Sequence, residues 1–190
     1  MLAIPTLKFS YGNLLLARLH ELGSANIGDL LGDDPAQLFK SEGPFENPER
    51  RARDCLRFAQ MLDLVVEDER TWKLTASGIA YAENVDRSNP WTVNDIQAVV
   101  LRDRLSGTAP LAEDIRIALK IVRDLAAGFS NDDLGRALAA HANTGQWQAD
   151  RTFESQGARY RELLIESGLI DRSGELSGLA RNFGDVFVAC

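Results

Sequence analysis

The clearest pattern of apolar and polar positions lies between Asn47 and Leu62. Apolar residues recur there at steps of three and four, which is the spacing of the buried face of a helix. They are Ala52, Cys55, Leu56, Ala59 and Leu62. Asn47 is a suitable N-cap, Pro48 suits the first helical position, and the helix dipole favours the acid Glu49 in the first turn. The pattern therefore predicts a helix that begins at Pro48 and ends near Leu62.

A short β-hairpin is predicted directly after this helix. Residues 64–67 form an apolar strand, residues 68–70 a polar turn, and residues 72–74 the returning strand. Thr75 then caps another helix. A helix followed by a hairpin is the element order of a winged helix-turn-helix, and the second helix of a helix-turn-helix lies in the major groove when such a unit binds DNA.

The remaining sequence predicts helices with short connections. Upstream there is an extended arm over residues 1–9, a helix capped by Ser10, and a short helix from Ile27 to Leu31 that begins after Asn26. Downstream, helices are predicted over residues 93–105, 111–127, 130–141 and 152–167, with Thr92 and Thr152 as N-caps. In the first of these, the residues expected to face inward are Ile96, Val99, Val100 and Leu105.

The two halves of the chain end in similar sequences, 105 residues apart. Leu64-Val65-Val66 is matched by Leu169-Ile170-Asp171, and Lys73-Leu74-Thr75 corresponds to Glu175-Leu176-Ser177 after a shorter turn. We therefore predict a mainly α fold with short β-hairpins, built as two tandem winged helix-turn-helix units. The first unit covers residues 1–85, a linker covers residues 86–91, and the second unit covers residues 92–190.

A polar stripe on the helix after Pro48 supplies the candidate site. It consists of Arg50, Arg53, Arg57 and Gln60, spaced along the face opposite the apolar one. We predict that these residues contact double-stranded DNA, together with Arg51 of the same helix and with Arg70 and Lys73 of the hairpin. A charged stripe is more often a solvated surface, which is the alternative interpretation. The positions 105 residues later are Ser155, Ala158, Glu162 and Ile165, so the second half lacks the stripe.

The amino-acid composition makes DNA binding less favourable without excluding it. The net charge is −7, and neither half is basic, so non-specific attraction to phosphates is expected to be weak. Four arginines and one acid nevertheless lie between Arg50 and Arg57. The chain has no apolar run long enough to span a membrane and no basic, apolar secretory signal. Cys55 and Cys190 lie far apart, so we expect a cytoplasmic protein without disulfides.

Catalytic and metal-binding motifs are not found in the sequence. Restriction-type nucleases use an acid two residues before a lysine, but the residues in that position are Thr6, Leu38, Thr71 and Ala118. His20 and His141 are isolated, and no Cys/His spacing indicates zinc. We therefore expect no catalytic residues, no bound metal and no cofactor, and a chain that is not an enzyme by itself.

Two stretches carry a resemblance to a known family. They are residues 56–66 with residues 73–81, and Trp147 with residues 158–170. Their layout resembles the DNA-recognition region of FokI-type type IIS restriction endonucleases, in which winged-helix subdomains precede a separate nuclease. The resemblance implies recognition of a specific duplex sequence in a restriction or defence system, with a nuclease domain or subunit as a further partner. The alternative is a winged-helix module that binds proteins, as a scaffold or transcription regulator, and does not read DNA through both units.

Overall fold

A three-stranded antiparallel sheet organises the first half of the chain. The computed structural model describes residues 1–40, 47–107, 109–125, 127–142 and 150–183. Strand β1 (Ser24–Ala25) pairs with β3 (Thr71–Leu74), and β3 pairs with β2 (Val65–Asp68), which gives the order β1-β3-β2. The hairpin predicted after the arginine helix is confirmed. Strand β1 was not predicted, since two residues carry no periodic signal and form a strand here only by pairing with β3.

The described part of this half contains four α-helices: α1 (Asn13–Leu22), α2 (Ile27–Leu31), α3 (Pro48–Met61) and α4 (Ala76–Ala82). The prediction for α2 is confirmed, because the Asn26 side chain accepts a hydrogen bond from the Asp29 amide and Gly32 ends the helix. The prediction that Ser10 caps α1 is wrong. Ser10 lies in a 3-10 turn, Phe9–Gly12, and its hydroxyl donates to the carbonyl oxygen of Trp91 at 3.0 Å.

The regular structure of the second half, within its described residues, consists of helices and one β-bridge. Its helices are α5 (Asp95–Gly107), α6 (Ala112–Asp124), α7 (Asn131–Ala142) and α8 (Asp150–Glu166). An antiparallel bridge between Ile170 and Leu176 replaces the longer hairpin of the first half, and a 3-10 helix follows at Gly178–Phe183. The predicted cap Thr152 lies inside α8, so that prediction is wrong. The predicted loop around Trp147 and the second cysteine, Cys190, fall outside the described residues.

Helix α5 buries only part of the face that was predicted, because Leu105 is fully buried and Val100 packs against the core, whereas Ile96 and Val99 do not. Gln97 is fully buried, whereas Ile96 is 57% exposed and Val99 is 54% exposed. Asn94, not Thr92, caps the helix, because its side chain accepts from the Gln97 amide at 3.0 Å while Gln97 accepts from the Asn94 amide at 3.2 Å. These two reciprocal hydrogen bonds place Gln97 on the buried side of α5, so Ile96 and Val99 face solvent.

Helices α7 and α8 lie unusually close together. A side chain at Gly135 would collide with the backbone carbonyl of Phe153, and one at Gly157 would collide with the carbonyl of Asn131. The two helices therefore approach each other through glycine, which brings their backbones into direct contact.

One continuous apolar core includes residues from both halves. The N-terminal arm contributes to it, because Ile4 is fully buried and its amide donates to the Gln156 side chain on α8 at 2.9 Å. Lys8 forms an ion pair with Glu162 at 3.0 Å on the same helix. None of the helices within the described residues combines the length and the apolar character that crossing a membrane requires.

The two hairpins are closed by the same hydrogen bonds. In the first half, the Thr75 hydroxyl donates to the Asp63 carbonyl at 2.8 Å and the Thr75 amide to the Leu64 carbonyl at 2.9 Å. In the second half, the hydroxyl and the amide of Ser177 donate in the same way to the carbonyls of residues 168 and 169, at 2.6 and 2.9 Å. The acceptor residues are 105 positions apart and the donor residues are 102 apart, because the second turn is shorter, so the similarity of the two sequences extends to backbone geometry.

Candidate nucleic-acid interface

Helix α3 places the arginine stripe on the outside of the first half. The Asn47 side chain accepts from the Arg50 amide at 2.9 Å, and Pro48 occupies the first turn, as predicted. The inward face is buried and consists of Ala52, Cys55, Leu56, Phe58 and Ala59. Burial raises the pKa of Cys55 to about 12, so its thiol stays neutral and packs as a small apolar group. This inward face fixes the rotation of the helix and directs the stripe toward solvent.

The stripe is largely free of carboxylate partners. Arg50, Arg53, Arg57 and Gln60 are all exposed. Arg53 contacts Glu49 at 3.7 Å, in a pair whose side chains are both more than half exposed. Among the described residues, no carboxylate pairs with Arg50 or Arg57. These guanidinium groups therefore remain available to bind an anion.

Arg51 differs from its neighbours because it serves the fold. Its side chain is half-buried and donates to the carbonyl oxygen of Lys40 at 2.7 Å. The Lys40 ammonium in turn lies 5.7 Å from the centre of the Tyr11 ring. Arg51 thus anchors the chain that precedes α3, and contact with a second molecule would compete with that hydrogen bond.

The two predicted site residues of the hairpin, Arg70 and Lys73, also differ in how freely they could bind a ligand. Arg70 is exposed at the turn, with φ at +68°. Lys73 forms an ion pair with Asp68 at 3.1 Å, with both side chains close to half exposed or more. Such a pair contributes little to stability and is screened by salt, so Lys73 is weakly held.

A cleft of about 530 Å³ separates α3 from the hairpin and from the start of α2. The residues that line it are Asn26, Ile27, Gly28, Glu49, Arg53, Arg57, Glu67, Arg70 and Trp72. The structure therefore brings together three of the predicted site residues, Arg53, Arg57 and Arg70. Arg50, Arg51, Gln60 and Lys73 are not part of the lining. The two acids of the cleft were not among the predicted site residues, although Glu49 lies four residues before Arg53, which is the spacing of a helical ion pair.

A second cleft, of about 540 Å³, occupies the corresponding place in the second half. Its lining includes Asn131, Glu162 and Arg172, which lie 105 residues after Asn26, Arg57 and Glu67. The charges at the last two positions are therefore reversed. The N-terminal arm also borders this cleft through Lys8, and the end of the predicted linker and the residues after it border it through Trp91, Thr92 and Val93.

Glu166, the last residue of α8, accepts hydrogen bonds from backbone amides near the N-terminus of the chain. Glu166 accepts hydrogen bonds from the Phe9 amide at 2.7 Å and from the Ser10 amide at 3.2 Å. Burial raises the pKa of Glu166 above its ordinary value, and the hydrogen bonds from Ser10 and Phe9 and the charge of Lys8 only partly offset this. In this half the helix that matches α3 is therefore engaged with the chain's own N-terminal residues.

Comparison of the chain with known protein families finds no match, and comparisons with curated proteins and with solved structures find none either. Within the described residues, no group of three or more His, Cys, Asp or Glu side chains is arranged to hold a metal ion. The candidate site is accordingly interpreted from its own geometry.

Proposed function

We propose that the chain is a recognition module for double-stranded DNA, and that α3 of a winged-helix unit enters the major groove. The observation that carries the proposal is the outward arginine stripe of α3, of which Arg53 and Arg57 line one cleft together with the exposed Arg70 of the hairpin. The order α1-β1-α2-α3-β2-β3, with the sheet order β1-β3-β2, supports a winged-helix assignment for the first unit. The equivalent hydrogen bonds at Thr75 and Ser177 support a second, related unit.

Arginine suits this role because its fork can bond both acceptors on the major-groove edge of guanine. Residues near the N-terminus of a groove-inserted helix usually contact bases, and residues farther along contact phosphates. We therefore assign base contact to Arg50 and Arg53, and backbone contact to Arg57, Gln60 and the hairpin residues Arg70 and Lys73.

The second unit has a supporting role in this proposal. On α8, Glu162 replaces the arginine found at position 57 and pairs with Lys8. A carboxylate at that place repels phosphate, so contact with DNA is assigned to the first unit alone. Within a restriction or defence system of the kind that the sequence resembles, the nuclease would be supplied by another domain or subunit.

Duplex binding measured by fluorescence anisotropy tests the proposal. Sites are first selected from random duplexes, and the chain is then compared with the variant in which Arg50, Arg53 and Arg57 are alanine. A matched control replaces Arg87, Arg123 and Arg136, which form ion pairs elsewhere on the surface, so that the net charge changes equally. The stripe variant should lose binding while the control retains most of it. Equal binding by the folded stripe variant and the parent would contradict the proposal.

A protein-interaction module is the second candidate, and a specific feature favours it. The end of β2 and the turn that follows it carry Glu67, Asp68 and Glu69, all exposed, beside the arginines. A surface of mixed charge suits a protein partner better than a polyanion. Retention on heparin at low salt separates the two candidates, because the DNA-binding proposal expects retention that depends on the stripe and the alternative expects none.

A further inference from the structure

Glu49, a hydrogen-bond acceptor, and Arg53, a hydrogen-bond donor, form an ion pair near the N-terminus of α3. They lie one helical turn apart, 3.7 Å separates their charged groups, and both line the cleft beside the hairpin. The exposed fractions of their side chains are 66% for Glu49 and 56% for Arg53. Both groups are therefore accessible to a molecule that approaches this end of the helix.

The carboxylate is unfavourable for general attraction to DNA. A negative charge beside a phosphate backbone reduces affinity for every sequence. Glu49 also does not form the helix cap, because Asn47 accepts the hydrogen bond from the Arg50 amide. The helix dipole is compatible with an acid in this turn. The ion pair with Arg53 places the Glu49 carboxylate on the same side of α3 as the Arg53 guanidinium.

We propose that Glu49 is a specificity-determining residue that selects cytosine, while Arg53 selects guanine. This inference rests on the DNA-binding function proposed above. In the major groove, guanine presents two acceptors, O6 and N7, and cytosine presents a donor, its N4 amino group. The guanidinium of Arg53 donates to the first, and the carboxylate of Glu49 accepts from the second. Thymine in place of cytosine presents an acceptor and a methyl group to Glu49, and is rejected.

This role predicts two effects of opposite sign for Glu49→Ala. Removal of the negative charge raises affinity for unrelated duplexes, and removal of the acceptor lowers discrimination between cytosine and thymine by about tenfold. The matched control is Glu154→Ala, since Glu154 is the exposed acid 105 residues later on α8. The control makes the same change in net charge and should leave discrimination unchanged.

Modified bases assign each contact separately. In the duplex obtained by site selection, each cytosine is replaced in turn by N4-methylcytosine, and each guanine by 7-deazaguanine, which lacks the N7 acceptor. One N4-methylcytosine position should weaken binding by the parent about tenfold and have no effect on Glu49→Ala. One 7-deazaguanine position should likewise weaken the parent and have no effect on Arg53→Ala.

The outcomes separate this inference from the function on which it rests. If the parent binds no duplex, the DNA-binding proposal fails and the assignment of Glu49 fails with it. If the parent binds but no cytosine position is sensitive to N4-methylation, only the assignment of Glu49 is overturned. That assignment is also overturned if Glu49→Ala keeps the full sensitivity of the parent.

Discussion

Arg104 on α5 forms an ion pair with Asp63, which lies between α3 and the hairpin. The side chain of Arg104 is 14% exposed and that of Asp63 is 48% exposed. Asp63 also has a positive φ of 53°, a conformation that Asp and Asn adopt more readily than most residues. This pair therefore connects the second half of the chain to the residue that directs the hairpin away from α3.

Asp63→Asn should lower the free energy of unfolding by about 1 kcal/mol, a value that allows for screening of the half-exposed partner. Asparagine keeps the tolerance for positive φ and removes the charge, so the change isolates the ion pair with the mostly buried Arg104. Urea unfolding at low and high salt measures the loss. The control is Asp68→Asn, which breaks the exposed pair with Lys73 and should cost less. Equal losses for the two variants would contradict a special role for Asp63.

Gly157→Ala should destabilise the protein by about 2 kcal/mol or more, since the new methyl group overlaps the carbonyl of Asn131 and forces α7 and α8 apart. The matched control is Gly107→Ala, because Gly107 is also helical and the space that its new methyl group would enter is open. Alanine there should be neutral or stabilising. Thermal unfolding of both variants distinguishes the effects, and similar melting temperatures would exclude the close approach of the two helices.

Arg53→Ala should cost about 1–3 kcal/mol of binding free energy on the selected duplex and relax its sequence preference. Arg57→Ala should weaken binding to all duplexes about equally and reduce the salt dependence, since its expected partner is a phosphate. Anisotropy titrations with selected and scrambled duplexes at several salt concentrations measure both effects. Glu162→Ala, at the place that matches Arg57, removes the partner of Lys8 and should leave sequence preference unchanged. A loss of preference in Arg57→Ala would reverse the two assignments.

Glu166 should make the protein less stable as the pH rises above the ordinary pKa of a glutamate. Its pKa is raised in the folded state, so the folded protein binds the proton more tightly than the unfolded chain does. Stability from this group is therefore present at low pH and is lost as the pH rises through the raised pKa. Glu166→Gln removes the titration. Urea unfolding at several pH values from 4 to 8 should show Glu166→Gln gaining stability relative to the parent as the pH rises, and a constant difference would refute this.

Local signals in the sequence predicted the elements that local hydrogen bonds define. The start of α2 follows from Asn26, and that of α3 from Asn47 and Pro48, because each cap satisfies an amide within its own turn. The exposure of Ile96 and Val99 was not predicted. Periodicity placed Leu105 correctly in the core but not Ile96 and Val99, because a glutamine, Gln97, satisfies the helix terminus from inside the core.

The candidate site likewise has one part that the local sequence predicts and another part that depends on tertiary packing. The arginines at positions 50, 53 and 57 were found from their spacing, since helical geometry alone places them on one face. The cleft was not predicted, because it depends on how α2 and the hairpin pack against α3. The reversed charges at Glu162 and Arg172 were visible at the same offset of 105, but their position in a second cleft becomes apparent only from the packing.

The arm that crosses α8 has a consequence for how the protein is made. The amide of Ile4 binds a side chain 152 residues away, so the segment that contains Ile4 reaches its final contacts only after α8 has been synthesised. Contacts of such long sequence separation slow folding, and Ile4 lacks its partner on α8 in the meantime. A fragment that ends near residue 85 would keep the Phe58 and Tyr81 rings that Phe9 contacts, but it would expose the apolar core that the two halves share and would lose the partner of Ile4 on α8. We therefore expect such a fragment to need a chaperone or a detergent to stay in solution.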